Sequence, residues 1–226
     1  LALASELDHP LIVAHSLNWG ALLFQLLRNA GELEDKTGRT LALAKEHGFA
    51  NYATDASILR AWHTSETSHP LDSTERMGDS MAARQSRGTM FLRPYYLALL
   101  AQVFARAGKS ETALDVIAEA NAVASATGEV WIAPELVRIE GELLLSSDAN
   151  DIESAERAFT KAIALAQDRN AKSWELRAAT SLARLWADQG RRDEARDVLA
   201  PVFEWFSEGF ETADLRDAKA LISNLR

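Results

Sequence analysis

Apolar residues recur along this chain at three- and four-residue steps, the period of a helix buried on one face. Ala195, Val198, Leu199, Val202, Phe203 and Phe206 keep that spacing, and the segment before them carries Leu182, Ala183, Leu185 and Trp186. A second pair of segments sets Leu97, Leu100, Ala101 and Phe104 beside Ala113, Val116, Ile117 and Ala120. No stretch sustains the two-residue alternation of a half-buried strand, so the pattern predicts an all-α chain.

The periodic segments are punctuated at nearly fixed intervals. Gly48, Gly88, Gly128, Asn170 and Gly209 follow one another at steps of 40, 40, 42 and 39 residues. Gly and Asn tolerate the left-handed backbone that ends a helix. An aromatic follows each mark: Phe49 and Tyr52, Phe91, Trp131, Trp174 and Phe210. Pro94 and Pro134 come three residues after Phe91 and Trp131, and proline suits the first turn of a helix. A second set of turns falls between the marks, at Ala30-Gly31, Ser68-His69-Pro70, Ala107-Gly108-Lys109, Ser146 to Asn150 and Gln189-Gly190-Arg191. Each repeat is therefore a helix, a tight turn and a second helix.

Small residues recur at matching places, with Ala101, Gly141 and Ala183 on first helices and Ala113, Ala155 and Ala195 on second helices. Small side chains let helices approach closely. Ser110, Asp151 and Asp193 are placed to cap the second helices or sit in their first turns, and Asp214 to cap a final helix. Pro201 predicts a kink in the last second helix.

The set Ala101, Gly108, Ala113, Ile117 and Ala120, and again Ala183, Gly190, Ala195, Leu199 and Val202, resembles the tetratricopeptide repeat. The usual unit is about 34 residues; this one is longer. Lys36 and Ser73 depart from the pattern, standing where alanine is expected. Leu92-Arg-Pro-Tyr95, Gly141-Glu-Leu-Leu144, Ala171 to Ala178 and Gly209 to Leu215 are similar to the C-terminal repeat region of large bacterial signalling proteins. In those proteins a nucleotide-cyclase or DNA-binding module and an ATPase module precede the repeats. The resemblance implies a right-handed superhelical solenoid of about five helix pairs plus a C-terminal capping helix. Residues 1–226 are expected to form one such domain within a longer protein. Residues 1–9 would be the tail of a preceding helix, and 210–226 the cap with Leu215, Ala218, Leu221, Ile222 and Leu225 inward.

Composition narrows the function. The net charge of −9 opposes nonspecific nucleic-acid binding, which relies on basic residues. No apolar run approaches the ~20 residues of a membrane span. Without cysteine there is no disulfide framework and no thiolate metal site, which fits a cytoplasmic protein. Gly108-Lys109-Ser110 matches the end of a phosphate loop, but Val103 stands where that motif needs glycine, and Leu97–Ala107 reads as helix. His9, His15, His47, His63 and His69 include no pair with the spacing of a helical zinc site. No nucleophile elbow is present. The chain is thus expected to be non-enzymatic, with no cofactor and no metal.

Stacked helix pairs offer a concave surface lined by first helices. The repeat register places Trp62, Tyr95, Gln102, Arg106, Arg138, Glu142, Arg177 and Arg184 there. The arginines could hold carboxylates or phosphates, or instead pair internally with Glu135, Glu142 or Glu175; Glu135 and Glu140 flank Arg138 as surface partners. Trp62 could stack on a ligand, whereas Trp131, Trp174, Trp186 and Trp205 are expected to pack. The leading expectation is a protein-interaction and sensing scaffold that binds a protein or peptide segment, including the upstream domains of its own chain. The alternative is a sensor with a small-molecule inducer in the groove.

Overall fold

The computed structural model describes residues 9–67, 70–147 and 151–225. Among them are eleven α-helices, one 3-10 turn and no strand. In chain order the helices are α1 (Pro10–Leu26), α2 (Ala30–His47), α3 (Ala50–Thr67), α4 (Pro70–Ser86), α5 (Arg93–Arg106) and α6 (Ser110–Thr127). After a 3-10 turn at Val130–Ile132 come α7 (Ala133–Ser146), α8 (Ile152–Asp168), α9 (Lys172–Asp188), α10 (Arg192–Glu204) and α11 (Ala213–Asn224). They make five successive helix pairs and a terminal helix, in the order that the punctuation predicts.

All five marks adopt the left-handed backbone: φ is 72° at Gly48, 71° at Gly88, 75° at Gly128, 51° at Asn170 and 76° at Gly209. A β-carbon opposes this conformation, which is why glycine supplies four of the five. Pro94 and Pro134 occupy the first turns of α5 and α7. The first internal turn lies earlier than Ala30-Gly31, because Asn29 caps α2 by accepting the Glu32 N–H and so draws both residues into the helix. Asp151 caps α8 by accepting the Ser154 N–H at 3.0 Å. Ser110 is the first residue of α6, and Asp193 lies in the first turn of α10. Residues 68–69 and 148–150, which belong to two expected turns, and residues 1–8 of the helix tail expected at 1–9 lie outside the described residues, while His9 is the extended N-cap of α1.

Backbone contacts group the chain into two compact units. The first runs to Leu92 and includes Gln102–Gly108; the second comprises Arg93–Ala101 and Lys109 onward. In the first, α1 packs on α2, α2 on α3 and α3 on α4, with α1 also touching α3. In the second, α6 to α11 pack in sequence, and first helices meet their counterparts where α7 touches α9 and α9 touches α11. Each unit is therefore a stack of helix pairs in the manner of a helical solenoid.

Small residues mark the tightest approaches. Ala101, Ala113, Ala155, Ala183 and Ala195 are fully buried. At Gly141 of α7 an added β-carbon would lie 2.6 Å from the Phe159 ring of α8. The two departures from the repeat pattern are accommodated individually. Ser73 is buried, and Lys36 runs its stem past Gly20 to reach Glu32 at 2.7 Å and Asp35 at 2.8 Å. The terminal helix buries Leu215, Ala218 and Leu225 against α9 and α10.

Two apolar expectations are corrected. α10 continues past Pro201 but ends at Glu204, so Trp205 leaves the helical stripe and is 60% exposed. Trp131 is only half-packed, resting on Tyr95 at 6.1 Å between ring centres while 36% exposed. At the other end, α1 leaves Leu11, Ile12, Trp19, Leu23 and Leu27 exposed.

Glycine substitutions separate packing from propensity. Gly141→Ala is expected to destabilise by about 1–3 kcal/mol through overpacking against Phe159. Gly38→Ala and Gly78→Ala, inside helices with nothing within 4 Å, should stabilise by about 0.5–1 kcal/mol. Urea unfolding of the three variants checks both signs.

Candidate functional site

The eight residues that the repeat register assigns to the inner face fall into two clusters, one in each unit. In the first unit, Trp62 projects from α3 and is 5% exposed. Its indole Nε1 donates to Gln102 Oε1 at 2.9 Å, and the Arg106 guanidinium lies over its ring at 5.1 Å. Arg106 also donates to Ser65 Oγ at 2.8 Å and to Glu66 Oε1 at 3.0 Å. The protein's own arginine thus occupies the stacking position that a ligand would take on Trp62. Sequence periodicity places Trp62 and Arg106 on one face each, but it does not reveal that they cover one another.

In the second unit, Glu135 and Arg138 lie one helical turn apart on α7, both buried. They are not the surface partners that their spacing suggests. The Arg138 guanidinium grips Glu135 through two nitrogens, at 2.7 and 2.8 Å. Its remaining terminal nitrogen pairs with Glu142 and reaches Ser181 Oγ of α9 at 3.3 Å. Arg177 of α9 donates to the same Glu135 at 3.1 Å, and on its other side to Asp214 of α11 at 2.5 and 3.1 Å. Its guanidinium also stacks on Trp174 at 5.0 Å. Asp214 therefore does not cap α11. Thr212 occupies the N-cap position, and the Asp214 carboxylate is turned toward Arg177.

This arrangement links three successive inner helices, α7, α9 and α11, by one relay of charges. Burial pushes the Glu135 carboxyl up, but Arg138 and Arg177 reverse that and hold it below the ordinary glutamate value of 4.5. Burial works against both guanidinium charges, while their carboxylate partners hold both pKa values above the ordinary arginine value. Glu175, the other expected internal partner, instead takes Lys172 at 2.7 Å and Gln167 at 3.0 Å.

Tyr95 is 2% exposed, and burial, with Tyr96 beside it, pushes its hydroxyl pKa well up. The groups that remain accessible are the Glu142 side chain, 47% exposed, and Arg184, 53% exposed with Asp217 at 3.7 Å. The face so formed can recognise charge and hydrogen-bonding groups. Its arginines Arg138 and Arg177 are committed to carboxylates of the protein. Among the described residues no group of His, Asp or Glu is arranged to hold a metal ion, and no helix is long and apolar enough to cross a membrane.

Comparisons with known proteins agree with this architecture. Residues 94–119 and 176–201 match the model of the tetratricopeptide repeat. These span nearly all of α5 with the first part of α6, and most of α9 with most of α10. No curated protein sequence matches the chain. Among solved structures, the chain is similar to a signal transduction ATPase with numerous domains (STAND) carrying a tetratricopeptide repeat sensor, from Pyrococcus horikoshii, with a TM-score of 0.60 and 11% identity. The similarity covers 94% of this chain and 33% of that protein, so the chain spans about a third of its length. At this identity the likeness concerns the fold.

The buried relay predicts a specific acid response. Glu135 has a lowered pKa in the folded state, so its contribution to stability is present above the ordinary value of 4.5 and is lost as pH falls through the folded value. Glu135→Gln should cost about 3–5 kcal/mol near neutral pH, because two buried guanidinium groups lose their shared counter-charge. It should also flatten the acid limb of a stability–pH curve measured by denaturant unfolding. In the first unit, Gln102→Ala should cost about 1–3 kcal/mol by stranding the Trp62 N–H, as read by the same measurement.

Proposed function

With tetratricopeptide repeats at 94–119 and 176–201 as the premise, we propose that the chain is a non-enzymatic protein-interaction and sensing scaffold. It binds a protein segment on its first helices, including a segment of an ATPase or of an output module upstream in the same polypeptide, and works in the cytoplasm. The observation that carries this reading is the buried relay from Glu142 through Arg138, Glu135 and Arg177 to Asp214. A relay of this kind fixes the spacing of α7, α9 and α11 and leaves Glu142 and Arg184 accessible on them. Such preorganised side chains suit an extended partner, because little ordering entropy remains to be lost on binding.

One solved structure of similar fold is a STAND protein with a repeat sensor, which supports placing this chain in a signalling protein of that type. Inducer binding on the same face has less support. Trp62 is covered by Arg106, and Tyr95 is buried, so neither offers a stacking surface.

The reading can be tested by photo-crosslinking in cells with the full-length protein. A photoreactive amino acid at Glu142 or Arg184 is expected to form an adduct with another protein or with a distant segment of the same polypeptide. The same group at Arg157, exposed on α8, should form none. Equal labelling from all three positions, or no adduct from Glu142 and Arg184, would show that the inner face is not the interaction surface.

A further inference from the structure

A second candidate site lies in the first unit, away from the first-helix cluster described above. Helix α3 presents Ser57, Arg60, Ala61 and Thr64 at steps of three and four residues, and hence along one face. Helix α4 presents Arg76, Asp79 and Ser80 with the same geometry, and α2 adds Leu41. Together they line a cleft of about 300 Å³. The cleft exists because the α3 residues facing it are short: Ala61 is buried at its floor, and Ser57 and Thr64 fold their hydroxyls back onto backbone carbonyls.

The arginines around this cleft differ from Arg39, Arg84, Arg87 and Arg106 of the same unit. Arg84 is spent on Asp55 and the Phe91 carbonyl, Arg87 on Asn51 and Thr54, Arg106 on Ser65 and Glu66, and Arg39 on Asp35. Among the described residues, neither Arg60 nor Arg76 meets a carboxylate or a hydrogen-bond acceptor, and Asp79 and Ser80 likewise have no side-chain partner. Two exposed guanidinium groups that form no ion pair therefore border one cleft, with one exposed carboxylate, Asp79, in the same lining.

We propose that this cleft binds a small hydroxylated organic anion. Arg60 and Arg76 supply forked donors for a phosphate or carboxylate group. The Ser57 and Thr64 oxygens, whose protons are already donated to the backbone, accept hydrogen bonds from ligand hydroxyls. Asp79 accepts further hydroxyl protons and disfavours an anion that has no hydroxyls to offer. Leu41 and Ala61 cover the carbon skeleton. The volume lies at the lower end of small-ligand sites, which limits the ligand to metabolite size. Binding here would stabilise the α2–α3–α4 packing of the first unit and would add a small-molecule input to a protein-binding scaffold.

The test is isothermal titration and thermal unfolding with glucose 6-phosphate and citrate, using glucose and inorganic phosphate as controls. At least one of the two hydroxylated anions is expected to bind and raise the melting temperature, glucose to do neither, and inorganic phosphate to bind more weakly. Arg60→Gln and Arg76→Gln should each weaken binding by about tenfold or more while melting like the parent, since neither arginine has an internal partner to lose. Asp79→Asn should narrow the preference for the organic anion over inorganic phosphate. The proposal is overturned if neither organic anion binds, if inorganic phosphate binds as tightly as both, or if the arginine variants bind unchanged. Because Glu142 and Arg184 play no part in these titrations, failure here leaves the crosslinking test of the first-helix face unaffected.

Discussion

A single buried carboxylate, Glu135, holds two guanidinium groups inside the second unit, and the inner helices are organised around it. A charged pair in a protein interior compensates for its desolvation only when the geometry is close and the remaining donors are satisfied. That condition is met here by sharing. Arg138 uses its fork on Glu135 and its remaining nitrogen on Glu142 and Ser181, while Arg177 bridges Glu135 and Asp214. Every partner lies on a different turn or a different helix, so a shift of α9 along α7 breaks several bonds at once. The apolar contacts in the cluster of Val137, Ala158, Ala162 and Ala178 would tolerate small slides, but the relay fixes the register.

This constraint also shapes what the molecule can recognise. Arg138 and Arg177 are internal struts, and among the eight residues that the repeat register assigns to the first-helix face the accessible charges are Glu142 and Arg184. The first unit solves the same problem with Asp55 and Arg84, and with Trp62 beneath Arg106. The contrast with Arg60 and Arg76 is then informative. The fold pairs its buried arginines, while the exposed Arg60 and Arg76 stand without a partner beside one cleft, which separates structural charge from charge available to a ligand.

Much of the fold was legible because it depends on local chemistry. A left-handed residue is needed wherever a helix ends in a tight turn, so Gly48, Gly88, Gly128, Asn170 and Gly209 announce five joints without any knowledge of the tertiary structure. Asp151 was legible as a cap for the same reason. The misread positions are those where a local rule met a distant competitor. Asp214 has the position of a capping residue, but Arg177 draws its carboxylate away. Trp205 continues a helical spacing, but the helix stops one residue before it. Ala30 and Gly31 look like a turn, but the Asn29 cap begins the helix ahead of them. In the candidate site, the repeat register assigned residues to the first helices. Helical spacing offered Glu135 and Glu142 as partners of Arg138, but it gave no signal that Arg177 bridges Glu135 and Asp214, which lie about forty positions away on neighbouring helices.

By itself, then, the sequence determined the helix-turn-helix repeat, its joints, its small-residue contacts and the set of side chains on each helix face. These follow from backbone sterics and from a period of 3.6 residues, both of which act within one turn of a helix. Only the tertiary structure decided that Arg138 and Arg177 share Glu135, that Arg106 covers Trp62, and that Arg60 and Arg76 face a cleft unpaired. Helical periodicity encodes partners within one turn, such as Glu135 and Glu142 for Arg138, but partners on another helix are chosen in three dimensions by distance and desolvation.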